Sequence, residues 1–148
     1  MEWDVEFTDE FGEWWNDLTS AEQEDINASV ILLQRLGPNL RFPYSSAIES
    51  STHTHMRELR IQHKGRPYRI LYTFDPRRVV ILLIGGDKTG NDRWYETFVP
   101  IADKLYTEHL KQLKRERKTK DGEELQKTSG KDVTGSPRQK RSKSSKDD

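Results

Sequence analysis

The chain has 148 residues, no cysteine and a formal net charge of zero. The absence of cysteine excludes a disulfide framework and thiolate chemistry. No apolar run is long enough to span a bilayer, and the first residues are acidic, whereas a signal peptide starts with basic ones. We therefore expect a cytoplasmic protein without a membrane partner.

The zero net charge hides an uneven distribution. Residues 1–34 contain ten acidic residues and no Lys or Arg, residues 35–113 contain thirteen basic and eight acidic residues, and residues 114–148 contain twelve basic and seven acidic residues. A basic centre and a basic end are compatible with binding to nucleic acid, although solvated helix faces and a soluble tail would explain them equally. After about Leu113 almost no apolar side chain remains to offset chain entropy. We predict one domain at residues 1–114 and a basic, low-complexity, disordered tail at residues 115–148.

The acidic first part of the chain predicts one strand and two helices. The strand is indicated by apolar residues that alternate with acidic ones, namely Trp3, Val5 and Phe7. Thr8 is a candidate N-cap for a short helix whose apolar stripe would be core and not a stacking surface, namely Phe11, Trp14, Trp15 and Leu18. Thr19 and Glu22 form a capping box for a second helix, which Gly37 and Pro38 end. The two helices predict a hairpin that covers one side of a sheet.

Three strands are predicted between Met56 and Ile84. The first, Met56–Ile61, places Arg57 on one face and Arg60 on the other, because adjacent residues in a strand point to opposite faces. The second, Tyr68–Phe74, alternates in the same way. After turn residues 75–78, Val79–Ile84 is an uninterrupted apolar run, which is typical of a central strand covered on both faces.

A last helix is predicted from about Pro100 to Lys114, with Ala102, Tyr106, Leu110 and Leu113 on its apolar stripe. The predicted fold class is therefore α+β, a small, mostly antiparallel sheet in the order β-α-α-β-β-β-α with a helical hairpin on one face. We expect the other face to be open and to carry Arg60, Arg69 or both.

Two other motifs are weak indicators of function. The turn at residues 85–90, GGDKTG, resembles a phosphate loop but lacks its spacing and its following helix. His53 and His55 suggest a metal site, yet no cysteine or suitably spaced carboxylate accompanies them. Residues 39–55 are better interpreted as an irregular, flexible loop, and we expect no metal and no other cofactor.

The order of these elements, with RELR at 57–60, YRILY at 68–72, GGDKTG at 85–90 and RWYE at 93–96, resembles that of RelE/ParE-superfamily toxins of type II toxin–antitoxin systems. The nearest branch is the HigB-like, phage Gp49-like group, and the resemblance covers Trp3 to about Lys114. It implies a RelE-like fold and a ribosome-dependent endoribonuclease that cuts mRNA and inhibits translation. The 2′-hydroxyl would attack the adjacent phosphate without a metal. It also implies a cognate antitoxin with a helix-turn-helix DNA-binding part.

The resemblance assigns roles to six residues. Arg69, Lys88 and Tyr95 are the candidate catalytic residues: Arg69 matches a family arginine that contacts the phosphate, Lys88 resembles the lysine at the family's strand end, and Tyr95 would stack on a base or move a proton. The candidate RNA-binding residues are Arg57, Arg60 and Arg93. Further titratable candidates are His53, His55, His63 and Asp87.

Structural roles compete with each of these assignments. Arg69 could pair with Glu58 across the sheet, Arg60 could form an ion pair, and Tyr95 could be a packed aromatic. Two other functions also remain open, because one fold carries several activities. One is a ParE-like poison of DNA gyrase that cleaves nothing, and the other is a non-toxic binding module.

Overall fold

The computed structural model describes residues 2–126 of the chain, with side chains for residues 2–120. Its elements are β1 (Val5–Phe7), α1 (Asp9–Asn16), α2 (Ser20–Leu36), β2 (Ser45–Ala47), β3 (Arg57–His63), β4 (Arg66–Phe74), β5 (Val80–Asp87) and α3 (Trp94–Gln126). The five strands form one sheet in the order β1-β5-β4-β3-β2. Strand β1 is parallel to β5, and the other neighbouring strands are antiparallel. The α+β class and the mostly antiparallel sheet are confirmed.

Helices α1 and α2 form the predicted hairpin on one face of the sheet. The Thr8 hydroxyl caps α1 by accepting a hydrogen bond from the backbone N–H of Phe11 at 3.0 Å. Thr19 and Glu22 form the predicted capping box, and Gly37 ends α2 with a positive φ of 54°. The apolar stripes of both helices pack on the side chains of β3, β4 and β5 that face them, and Trp14 and Trp15 are part of this core.

The prediction that the other face of the sheet is open is wrong, because α3 packs on it. This second core joins side chains of the sheet to α3, chiefly Leu71, Ile81, Leu83, Trp94, Val99, Ala102 and Tyr106. Strand β5 lies between both helix layers, as its uninterrupted apolar run predicted. None of the helices in the described part of the chain is both long and apolar enough to cross a bilayer.

Helix α3 begins at Trp94, whereas the sequence predicted a start near Pro100. Its apolar stripe extends further back than expected, because Trp94 is only 1% exposed and stacks on Phe98 with ring centroids 4.8 Å apart. Pro100 therefore lies inside the helix. The helix also runs across the predicted domain boundary at residue 114 to Gln126, and the rest of the predicted tail lies outside the described residues.

Strand β2 is absent from the predicted order, because Ser45–Ala47 lies in the segment predicted to be irregular. Three residues without apolar alternation carry no local strand signal. The strand forms because its backbone pairs with β3, with Ser45 opposite Leu59 and Ala47 opposite Arg57. It is thus a product of tertiary structure.

The β4–β5 turn is tied to α3 through a buried carboxylate. Asp75 accepts hydrogen bonds from Nε2 of His109 and from Nε of Arg77, both at 2.9 Å. Burial alone would raise the pKa of Asp75, but these hydrogen bonds outweigh it and lower the pKa below its usual value. The network fixes α3 against the sheet.

Two glycines at the end of β5 allow two tryptophans to approach the sheet from opposite faces. A Cβ atom on Gly85 would lie 2.3 Å from Cζ3 of Trp14, and one on Gly86 would lie 2.7 Å from Nε1 of Trp94. Neither distance is sterically possible without movement. The adjacent glycines are therefore a packing requirement of the two helix layers.

We expect Gly85→Ala to lower the free energy of unfolding by about 1–3 kcal/mol, because the Trp14 ring must move. Urea denaturation followed by tryptophan fluorescence measures this change. The control is Gly12→Ala in α1, where the added Cβ would lie 3.4 Å from the Phe7 ring and alanine has the higher helix propensity. A Gly85→Ala protein as stable as the wild type would contradict the packing argument.

Candidate active site

Arg60 and Arg69 lie directly opposite each other on β3 and β4. Because the register pairs them, both side chains lie on the same face of the sheet, which the sequence alone could not decide. This is the face that α3 covers. Tyr95, in the first turn of α3, and Lys88, one residue after β5, complete the group.

The centre of this group is the carboxylate of Glu58, whose side chain is only 6% exposed. Its Oε1 accepts a hydrogen bond from the Tyr95 hydroxyl at 2.5 Å and lies 3.4 Å from Nε of Arg69. Its Oε2 accepts hydrogen bonds from Nη1 of Arg60 at 3.1 Å and from Oγ of Ser46 at 2.5 Å. We call Glu58, Arg60, Arg69, Lys88 and Tyr95 the Glu58 cluster.

Sequence reasoning did not identify Glu58 as a functional candidate, only as a possible partner of Arg69. The available signal was its position two residues before Arg60, which puts both side chains on one face of β3. The ion pairs that competed with function for Arg60 and Arg69 are both present. They coexist with a cluster that brings together all three predicted catalytic residues.

Tyr95 is held in its protonated form. Burial and the hydrogen bond to Glu58 raise the pKa of its hydroxyl, and a hydrogen bond from Nε of Arg69 at 3.3 Å opposes them. Nη1 of Arg69 donates to the backbone carbonyl of Tyr68 at 3.0 Å, so these contacts use only part of the guanidinium's donor capacity. Nζ of Lys88 lies 5.6 Å from the centroid of the Tyr95 ring.

The Glu58 cluster combines three cations with one carboxylate and a protonated phenol. A partly buried excess of positive charge stabilises an anion better than the same charges in water. Guanidinium groups match the oxygen geometry of phosphates and carboxylates. The arrangement can therefore bind a phosphate and deliver a proton to it.

Other predicted residues lie elsewhere. Nε of Arg57 donates to Oγ of Ser45 at 2.9 Å on the hairpin side of the sheet, and Arg93 is exposed and pairs with Glu96 at 3.0 Å. Three of the four remaining titratable candidates have other partners: His53 bonds Thr107, His63 bonds Asp25, and Asp87 accepts from Arg66 and Thr89. The fourth, His55, is exposed. Among the described residues, no three His, Cys, Asp or Glu side chains form a metal-binding group.

We expect Glu58→Gln to lower the pKa of Tyr95, because the carboxylate stabilises the protonated hydroxyl. The pKa should remain above its ordinary value, since burial is the larger cause. NMR titration of ¹³Cζ-labelled tyrosine measures both effects.

The matched control is Glu22→Gln on the opposite side of the sheet. There, burial and the hydrogen bond to Glu22 raise the pKa of Tyr68 to about 12. This variant should lower the pKa of Tyr68 and leave that of Tyr95 unchanged. If Glu58→Gln left the Tyr95 pKa where it is in the wild type, the central hydrogen bond would be refuted.

Comparison with known proteins identifies the family. The family described as phage-derived protein Gp49-like (DUF891) matches residues 13–107. HigB2 of Mycobacterium tuberculosis (strain ATCC 25618 / H37Rv), named as a toxin, is 36% identical over 115 residues, which cover 74% of this chain and 57% of HigB2. HigB3 of the same strain, also named as a toxin, is 42% identical over 91 residues, which cover 61% of this chain and 78% of HigB3. The chain thus spans little more than half the length of HigB2.

Two solved structures of the Escherichia coli RelE toxin are also similar, a free-state mutant and the isolated protein. Each is 15% identical to this chain, with TM-scores of 0.48 and 0.47. They align with 65% and 67% of this chain and with 94% and 98% of RelE. The match over residues 13–107 and the two HigB relatives show that this chain belongs to the HigB-like, phage-derived Gp49-like family that its sequence predicted.

Proposed function

We propose that this chain is the toxin of a type II toxin–antitoxin system and acts as a ribosome-dependent mRNA endoribonuclease. The observation that carries the proposal is the convergence of Arg69 and Tyr95 on buried Glu58, with Lys88 from a third segment beside the Tyr95 ring. The toxin names of HigB2 and HigB3 support the first part.

The proposed reaction is an internal phosphoryl transfer. The 2′-hydroxyl of a ribose loses its proton to water as its oxygen forms a bond to the adjacent phosphorus. The bond from phosphorus to the 5′ oxygen breaks, this oxygen takes up a proton, and a cyclic phosphate remains. Negative charge builds up on the phosphate oxygens in the transition state. Arg69 and Lys88 are the cations that stabilise this charge, and Arg60 binds the RNA backbone beside them.

The leaving 5′ oxygen needs a proton, and Tyr95 is the proposed donor. The hydroxyl carries its proton at neutral pH, as any tyrosine does. In the proposed step the proton that Tyr95 shares with Glu58 passes to the 5′ oxygen, and water then returns a proton to Tyr95. Glu58 positions both Tyr95 and Arg69, since its Oε1 contacts the two groups at 2.5 Å and 3.4 Å. This division of roles uses no metal or organic cofactor.

The partners follow from the proposed activity. The substrate is mRNA on the ribosome, which places the reaction in the cytoplasm. A cognate antitoxin with a helix-turn-helix part would neutralise the toxin by denying RNA access to the Glu58 cluster. Co-purification of the product of the neighbouring gene with this chain would support that part of the proposal.

We expect Arg69→Ala to reduce mRNA cleavage about 10²–10³-fold, because one preorganised charge contact to the transition state is lost. Inducible expression with 5′-end mapping of transcripts measures cleavage, and growth arrest should disappear with it. The matched control is Arg66→Gln, which changes an ion-paired arginine of the same strand on the hairpin side. It should cleave like the wild type.

Two outcomes would refute the nuclease proposal. Growth arrest with intact transcripts and a DNA-damage response would indicate the gyrase poison. Retained cleavage by folded Arg69→Ala protein would remove Arg69 from the site.

We expect Tyr95→Phe to slow cleavage about 10²–10⁴-fold, because the general acid is lost while the packed ring remains. Single-turnover cleavage of mRNA on programmed ribosomes measures the rate. Tyr68→Phe removes another carboxylate-bound hydroxyl on the hairpin side and should leave the rate unchanged. Equal rates in Tyr95→Phe and wild type would show that Tyr95 is only a packed aromatic.

A further inference from the structure

Two aromatic side chains are exposed in the loop between α2 and β2. Phe42 is 69% exposed and Tyr44 is 53% exposed, more than any other large hydrophobic side chain in the described part of the chain. Buried residues flank them, with Leu40 at 1% and Ser45 at 0% exposure. The two aromatic side chains therefore project from a segment that is anchored at both ends by buried residues.

The backbone of this loop is ordered by hydrogen bonds. The N–H groups of Tyr44 and Ser45 donate to the carbonyl of Arg41 at 2.9 Å and 3.1 Å. The N–H of Arg60 donates to the carbonyl of Tyr44 at 2.9 Å, which attaches the loop to β3. The loop that carries the two aromatic residues therefore has a defined backbone conformation and is attached to β3 at Arg60, a member of the Glu58 cluster.

Arg60 connects Phe42 to that cluster. Its guanidinium carbon lies 5.0 Å from the centroid of the Phe42 ring, and its Nη1 donates to Glu58 at 3.1 Å. Phe42 is thus one side chain away from the carboxylate that positions Tyr95 and Arg69. The guanidinium lies over the Phe42 ring, which shows that the ring face is accessible to a flat cationic or aromatic group.

We propose that Phe42 is a base-stacking residue that seats a nucleotide of the RNA next to the reacting phosphate. Single-stranded RNA is recognised largely by stacking of its bases on aromatic side chains, combined with cations at its phosphates. Arg41 and Arg60 supply those cations, and residues 39–47 contain no acidic residue. An RNA strand fits this charge and this flat ring, and the inference rests on the nuclease function proposed above.

The test is single-turnover cleavage of mRNA on programmed ribosomes by the full chain. We expect Phe42→Ala to lower cleavage efficiency about tenfold, since stacking on one aromatic is lost. Phe42→Trp should retain nearly full efficiency, because it preserves a stacking surface. The matched control is Ile31→Ala, which truncates a 40% exposed apolar residue on α2 and should cleave like the wild type. Thermal unfolding of each variant confirms that it is folded.

The outcomes separate this inference from the proposed function. Wild-type cleavage that Arg69→Ala abolishes but Phe42→Ala leaves intact would overturn the stacking role and retain the nuclease. If Phe42→Ala cleaved normally yet no longer co-purified with the antitoxin, the ring would belong to a protein interface, which also overturns it. Equal losses in Phe42→Ala and Phe42→Trp would show that the ring only packs the loop, which also overturns the stacking role. A wild type that cleaves no mRNA would overturn both proposals.

Discussion

The burial of one carboxylate, Glu58, constrains the face of the sheet that carries the candidate site. A carboxylate that is removed from water must receive hydrogen bonds or opposite charge, because the desolvation penalty is otherwise large. Glu58 receives them from β2, β3, β4 and α3, through Ser46, Arg60, Arg69 and Tyr95. Four elements therefore have to be correctly positioned before the charge of Glu58 is compensated. The same positions bring the guanidinium groups of Arg60 and Arg69 together.

The position of Tyr95 depends on packing more than on its own contacts. Trp94 is buried against Gly86, where any side chain would collide with the indole ring. This contact sets where α3 begins, and the next residue, Tyr95, then reaches Arg69 and Glu58. The first turn of α3 therefore contacts both the apolar core, through Trp94, and the Glu58 cluster, through Tyr95. The two contacts are adjacent because Gly86 is paired with Arg69 in the sheet.

A second tyrosine–carboxylate pair, Tyr68 with Glu22, lies on the hairpin side of the sheet and differs in its surroundings. Glu22 accepts a hydrogen bond from Tyr68, which is the largest cause that lowers the pKa of Glu22 to about 2. Glu22 is also the capping-box residue of α2, and Arg66 is its ion-pair partner. The carboxylate of Glu22 therefore caps the N-terminus of α2. Glu58 caps no helix. Its partner Tyr95 also contacts Arg69 and lies beside Lys88, and Arg60 binds the same carboxylate.

The sequence by itself determined the features that depend on neighbouring residues: the two helix caps, the apolar stripes, the turn at Asp75 and the covered central strand. It also supplied the candidate residues Arg69, Lys88 and Tyr95. Only the tertiary structure decided that β2 exists, that α3 covers the second face, that Arg60 and Arg69 share it, and that Glu58 lies at their centre. Each of these depends on strand register or on contacts between distant segments, such as Tyr95 with Glu58 across 37 positions. A one-residue change of register would send the same side chains to the opposite face, and no local pattern encodes that choice.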